Sequence, residues 1–235
     1  MKTVKLLASI AYLLPIVSTF AQGQWSQFRG PGGNGHSQST ALPLKWDDRN
    51  IVWKTPIHDR GWSSPVIWND QVWMTTATKE GHKLFAMCVD RKTGKVVHDL
   101  LVFEVESPMA ITPENTYATP TPVIEEGRVY VHYGTYGTAC LDTQSGEILW
   151  TRRDLNCDHE FGAGPASSPV LVGDILVFHV DGRDVQYIIG LQAATGKNAW
   201  KTERSANFDK VPVHQRKAYS MPALVPRRDK QQMIS

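Results

Sequence analysis

The residues able to do chemistry in this chain are few, and they collect in two short runs. Asp158-His159-Glu160 places an imidazole between two carboxylates, a trio that could bind a metal ion or move a proton. The plainer reading of the same trio is a solvated loop with a surface ion pair. Asp181-Gly182-Arg183-Asp184 adds two more carboxylates, and its first reading is an ordinary Asp-Gly turn. Trp62 could offer a flat platform to an aromatic ligand, or simply cap the core. His132-Tyr133-Gly134-Thr135-Tyr136-Gly137 carries glycines but joins two strands, so it is not a phosphate loop, which needs a strand-to-helix turn. No Gly-x-Ser-x-Gly or His-Glu-x-x-His motif is present. Cys88, Cys140 and Cys157 form no CxxC pair and no cluster with metal-ligand spacing, and an odd count leaves at least one thiol outside any disulfide. The sequence therefore assigns no catalytic and no metal-binding residue.

The elements that must position these residues repeat. Three segments run in parallel. Ser63-Ser64-Pro65-Val66-Ile67 is followed by Gln71–Met74, Phe85–Asp90 and Thr93-Gly94. Pro120-Thr121-Pro122-Val123-Ile124 is followed by Arg128–Val131, Thr138–Asp142 and Ser145-Gly146-Glu147-Ile148-Leu149-Trp150. Ser167-Ser168-Pro169-Val170-Leu171 is followed by Asp174–Val177, Ile189–Gln192 and Thr195-Gly196-Lys197-Asn198-Ala199-Trp200. Ser220-Met221-Pro222-Ala223-Leu224 opens a fourth copy. Gly94, Gly146 and Gly196 stand 52 and 50 residues apart. Each copy holds four short runs of β-branched, aliphatic and aromatic residues separated by turn residues, the pattern of a four-stranded antiparallel meander. One such sheet cannot bury its faces alone, and radial stacking of several makes an all-β propeller. Asp142 is placed to accept from turn amides, Gly146 to take a positive φ, and Trp150 and Trp200 to fill the gap between blades. Cys88 and Cys140 occupy matching places and read as small core residues.

The run Ala139 to Trp150 resembles the repeat of the PQQ-like, quinoprotein-type propellers, shared by the quinoprotein dehydrogenases and the outer-membrane assembly propeller. His98 stands where that pattern has Trp, and Gln192 where it has Asp. The opening Trp25-Ser26-Gln27-Phe28-Arg29-Gly30-Pro31 is similar to exported proteins of the same repeat family. The resemblance implies a quinoprotein-like β-propeller with about three and a half blades present, part of a ring of roughly 7–8. Expected bounds are a blade over 63–103, another over 119–151, a third over 167–202, and the start of a fourth over 219–235. Residues 50–55, Asn50 to Thr55, read as the outer strand of a further blade whose inner strands lie beyond Ser235.

Before these stands an extension over 22–49 and, over 1–21, a signal peptide: Lys2 and Lys5, an apolar stretch from Leu6 to Val17, and small residues ending at Ala21. The chain is expected to be exported, to the periplasm or outside the cell, with no membrane-spanning segment after cleavage. At 41% hydrophobic and 20% charged the composition is globular, and a net charge of +2 with no basic block sets nucleic-acid binding aside.

Function is expected on the face that carries the long inter-blade connections, 104–118, 151–166 and 203–219. Trp62, Asp158, His159, Glu160, Asp181 and Asp184 are its candidate residues. The leading expectation is an exported binding or scaffold domain for a protein or small-molecule ligand. The alternatives are a PQQ-dependent dehydrogenase using Ca²⁺, completed by further blades, and a propeller domain of a larger enzyme. The adjacent-cysteine disulfide of the quinoprotein enzymes is absent, since no Cys-Cys occurs.

Overall fold

In a computed structural model, the described residues are 23–40, 42–159, 164–208, 210–217, 219–227 and 230–234. The expected signal peptide and Glu160 lie outside them. The fold is all-β. The first blade is β1 (Val66–Trp68), β2 (Gln71–Ala77), β3 (Lys83–Asp90) and β4 (Val96–Glu104). The second is β5 (Val123–Glu125), β6 (Arg128–His132), β7 (Thr138–Asp142) and β8 (Ile148–Arg152). The third is β9 (Val170–Val172), β10 (Ile175–Asp181), β11 (Gln186–Gln192) and β12 (Asn198–Glu203). Each is an antiparallel meander in sequence order, and a hairpin of β13 (Ala223–Arg227) and β14 (Lys230–Ile234) begins a fourth.

The cores lie between blades. Trp73, Leu84, Phe103 and Tyr133 are buried at the first junction, and Tyr130, Cys140, Phe178 and Leu191 at the second. Val170, Val177 and Ile188 meet Met221 and Met233 at the third. Burying side chains of this size removes enough apolar surface to contribute about 1.5–3 kcal/mol each, which explains why the second and third strands carry apolar residues on both faces.

The repeat signature has a mechanical reason at each place. The hydroxyl before each proline ties the innermost strands together: the Ser64 amide donates to Thr121 Oγ1, and the Thr121 amide to Ser168 Oγ, both at 2.9 Å. Asp142 Oδ1 accepts from the Gln144 and Ser145 amides at 2.8 and 2.7 Å, and Gly146 follows at φ +77°. Trp150 donates its indole N–H to the Ala193 carbonyl of the next blade at 2.8 Å, and a Cβ on Gly196 would strike its ring. Opposite the rim aromatics stand small residues: Cys140 pairs with Trp150, Cys88 with His98, and Gly190 with Trp200. Cys88 and Cys140 are buried free thiols.

One detail of the sequence alignment is corrected. Val123 pairs with Tyr130 and Val170 with Val177, so Ile175, not Asp174, matches Arg128. The reason is that the first two strands of both blades are joined by two-residue turns of equal length, which leaves Asp174 in the turn. With the register set, His132 and His179 share one position, held in the first blade by Thr75.

Residues 50–55 are in no assigned strand. Even so, Trp53 Nε1 donates to the Arg91 carbonyl at 2.8 Å and Thr55 Oγ1 to the Gly94 carbonyl at 2.5 Å. Those are the contacts that Trp150 and Arg152 make with Ala193 and Gly196.

Candidate functional site

The face formed by the long connections holds a small depression open to solvent, with an internal volume of about 20 Å³, between the second and third blades and the start of the fourth. His132, Gly134, Cys157, His159, His179 and Asp181 are among its lining residues. His132 and His179 come from matching positions near the loop ends of β6 and β10, and Cys157 and His159 from the connection that follows β8.

The two runs singled out in the sequence meet here. Arg183 forms a bidentate hydrogen-bonded ion pair with Asp158 Oδ2, at 2.7 Å through Nη2 and 3.0 Å through Nε. The Arg183 amide donates to the Asp158 carbonyl at 3.0 Å, and the Asp158 amide to Asp184 Oδ1 at 2.8 Å. Gly182 is required at this crossing, since a Cβ there would lie 2.7 Å from the Asp158 amide nitrogen. Asp158, Arg183 and Asp184 therefore clasp the long loop to the β10–β11 turn. Asp181 is buried and held at both carboxylate oxygens by Arg204, over distances of 2.6 to 3.1 Å. Trp62 is 62% exposed, its amide donating to the Ala118 carbonyl at the first junction, and it is not among the cavity's lining residues.

Burial disfavours the charged form of each imidazole. Burial pulls His132 down to about 3 and His159 down to about 4, with the charge of nearby Lys217 acting in the same direction on His159. Burial also lowers His179, against a hydrogen bond to the Ser220 carbonyl at 2.9 Å that favours its charged form. That bond fixes Nδ1 as the donor, and Nε2, a buried acceptor, has no partner among the described residues. Cys157 Sγ lies 3.4 Å from His159 Nε2, yet burial pushes the thiol up to about 12. A nucleophilic thiolate needs the opposite shift, so the pair is a neutral contact in the cavity wall. The equivalence of His132 and His179 escaped the sequence reading because the slipped register separated them; the correct hairpin length was the signal.

A Ca²⁺-assisted quinone would need convergent oxygen ligands. Among the described residues no three His, Cys, Asp or Glu groups are placed to hold a metal, and Asp158 and Asp181 are engaged by arginines. These residues do not fit that group. No helix of the described residues is long and apolar enough to cross a membrane.

The family described as outer membrane protein assembly factor BamB matches residues 40–228. Among solved structures, the chain is similar to quinohemoprotein alcohol dehydrogenase from Comamonas testosteroni, at 13% identity and TM-score 0.53 over 77% of this chain and 27% of that one. A europium-containing methanol dehydrogenase is 14% identical, with TM-score 0.53 over 81% of this chain and 33% of that one. BamB from Moraxella catarrhalis is 16% identical, with TM-score 0.47 over 72% of this chain and 45% of that one. The chain spans about a quarter to a third of the length of the two dehydrogenases, and the likeness to them shows the fold. No curated protein matches the chain.

Proposed function

Because the chain belongs to the family described as outer membrane protein assembly factor BamB, a family of PQQ-like propeller repeats, we propose that it is an exported binding platform whose ligand site is the loop face around this cavity. The observation that carries this reading is the state of the cavity's titratable groups. Asp181 is locked to Arg204, Cys157, His132 and His159 are held neutral by burial, and Asp158, beside the cavity, is paired with Arg183. A general base or nucleophile needs a pKa near the working pH, whereas a neutral, partly apolar wall suits binding. The partner is a protein or a small molecule, met on the face where the chain's longest connections lie. Residues 50–55 belong in this proposal as the outer strand of a blade, on the strength of the Trp53 and Thr55 hydrogen bonds.

The dehydrogenase reading is favoured only by the shared fold, and fold does not confer function. Calorimetric titration of the full chain with pyrroloquinoline quinone, with and without Ca²⁺, separates the two. Flat heats are expected. Tight, Ca²⁺-dependent binding followed by dye reduction with an alcohol would overturn the platform reading.

A further inference from the structure

The run Trp25-Ser26-Gln27-Phe28-Arg29-Gly30-Pro31 has no part in the loop-face site, and the structure gives it a place of its own. Ile67 and Ile124 are matching residues at the centres of the innermost strands β1 and β5. In β1, Val66 and Trp68 flank Ile67 and face β2, so the Ile67 N–H and C=O point away from the sheet, toward the propeller axis. The Trp25 amide donates to the Ile67 carbonyl at 2.9 Å, and the Ile67 amide to the Trp25 carbonyl at 2.8 Å, an antiparallel bridge. The Ile124 amide donates to the Ser26 carbonyl at 2.9 Å. Two adjacent residues thus hydrogen-bond to the axial edges of two different blades.

The segment is built to stay there. The Gly30 amide donates to the Gln27 carbonyl at 2.9 Å, and the Gly35 amide to the Arg29 carbonyl at 2.8 Å. Arg29 and Gly30 take φ of +61° and +75°, folding the chain back on itself. Gly30 is buried against Trp25, and a Cβ on it would sit 2.7 Å from the indole ring. Arg91, in the turn between β3 and β4, donates to the Gly23 carbonyl at 3.3 Å, which puts the start of the segment on the short-turn face.

We infer that residues 25–35 form an internal staple: a self-bound innermost strand that joins the first two blades along the axis and closes their inner edges to any other extended peptide. An unpaired inner strand edge is a template for any extended peptide, and here the chain's own N-terminal segment fills it.

The test is amide hydrogen exchange on the full chain and on Gly30→Val, which removes the glycine the turn requires. In the parent, the Ile67 and Ile124 amides are expected to exchange at least about tenfold more slowly than amides of the exposed residues 36–40 and 42–46. In Gly30→Val, those two are expected to speed up while Ala86 and Ala139 in the blade interiors stay protected. Fast exchange at Ile67 and Ile124 in the parent would overturn the staple whether or not the variant folds. So would unchanged protection in a folded Gly30→Val.

Discussion

Gln71 Nε2 donates to the carbonyl of Thr143 at 2.8 Å, across the first blade junction. At the next junction the corresponding carbonyl, that of Ala193, receives the indole N–H of Trp150. The first blade has His98 at the Trp position, and Gln71 on β2 supplies the missing donor. Gln71 also accepts from the indole N–H of Trp73 at 3.0 Å, and Trp73 stacks on His98 with centroids 5.4 Å apart. A departure from the repeat is thereby repaired by a residue of the same blade.

Gln71→Leu should therefore destabilise the protein although it keeps the side chain's bulk. It leaves the fully buried Trp73 without its hydrogen-bond acceptor and the Thr143 carbonyl without its donor, at a cost of about 1–3 kcal/mol. Chemical denaturation of parent and variant measures this, and an unchanged midpoint would contradict the repair.

Thr121→Val removes the oxygen that accepts the Ser64 amide while preserving shape. The Ser64 amide is part-buried, so losing its acceptor should cost about 1 kcal/mol. Thr121→Ser, which retains the oxygen, should recover most of the loss in the same denaturation series.

Gly146→Val forces a β-branched residue into a φ of +77°, with a new Cβ 3.0 Å from His98 Nδ1. The expected loss is roughly 1–3 kcal/mol from backbone strain alone. Thermal melts should show it to be more damaging than substitutions at Asp158 or His159. Equal melting of variant and parent would mean that this turn does not determine the fold.

Acid should weaken the fold through the cavity histidines. His132 and His159 are depressed below the ordinary value of 6.5, to about 3 and about 4, so the unfolded chain binds their protons more readily. Their contribution is complete above about pH 6.5 and is lost as pH falls toward those values, on the order of a few kcal/mol in total. His132→Gln keeps a hydrogen-bonding group near Thr138 Oγ1 and removes one titration, so the drop in melting temperature between pH 7 and pH 4.5 should shrink.

Trp53→Ala should loosen the stretch from Asn50 to Thr55 without melting the blades. The substitution removes the indole bond to the Arg91 carbonyl and the ring packed on Gly94. Faster proteolysis there, with circular dichroism unchanged, is the expected outcome; a cooperative loss of all β signal would mean that the segment is part of the core.

Much of the architecture was legible because it is local and repeated. The Asp142 and Gly146 turn, the Trp150 packing and the small residues at Cys88 and Cys140 each follow from residue type at a fixed place in a repeat. The site was less legible. Asp158 and Asp184 could be named as chemistry-bearing from the sequence, but nothing local says that Arg183 reaches back to clasp Asp158 from 25 residues away. The alignment also slipped by one residue at Asp174, because alternating apolar strands look alike under small shifts and only the pairing of Val170 with Val177 fixes the register.

By itself, the sequence determined the repeat, the strand order within each blade and the reason for its glycines and rim tryptophans, since those depend on near neighbours. Tertiary structure alone decided which polar groups are engaged. It put Gln71 on Thr143, Arg204 on Asp181, and Trp25 and Ser26 on two separate blades. Hydrogen bonding and burial are set by what stands opposite a residue in space. That opposition, not residue type, makes His159 a neutral wall and Asp158 a latch.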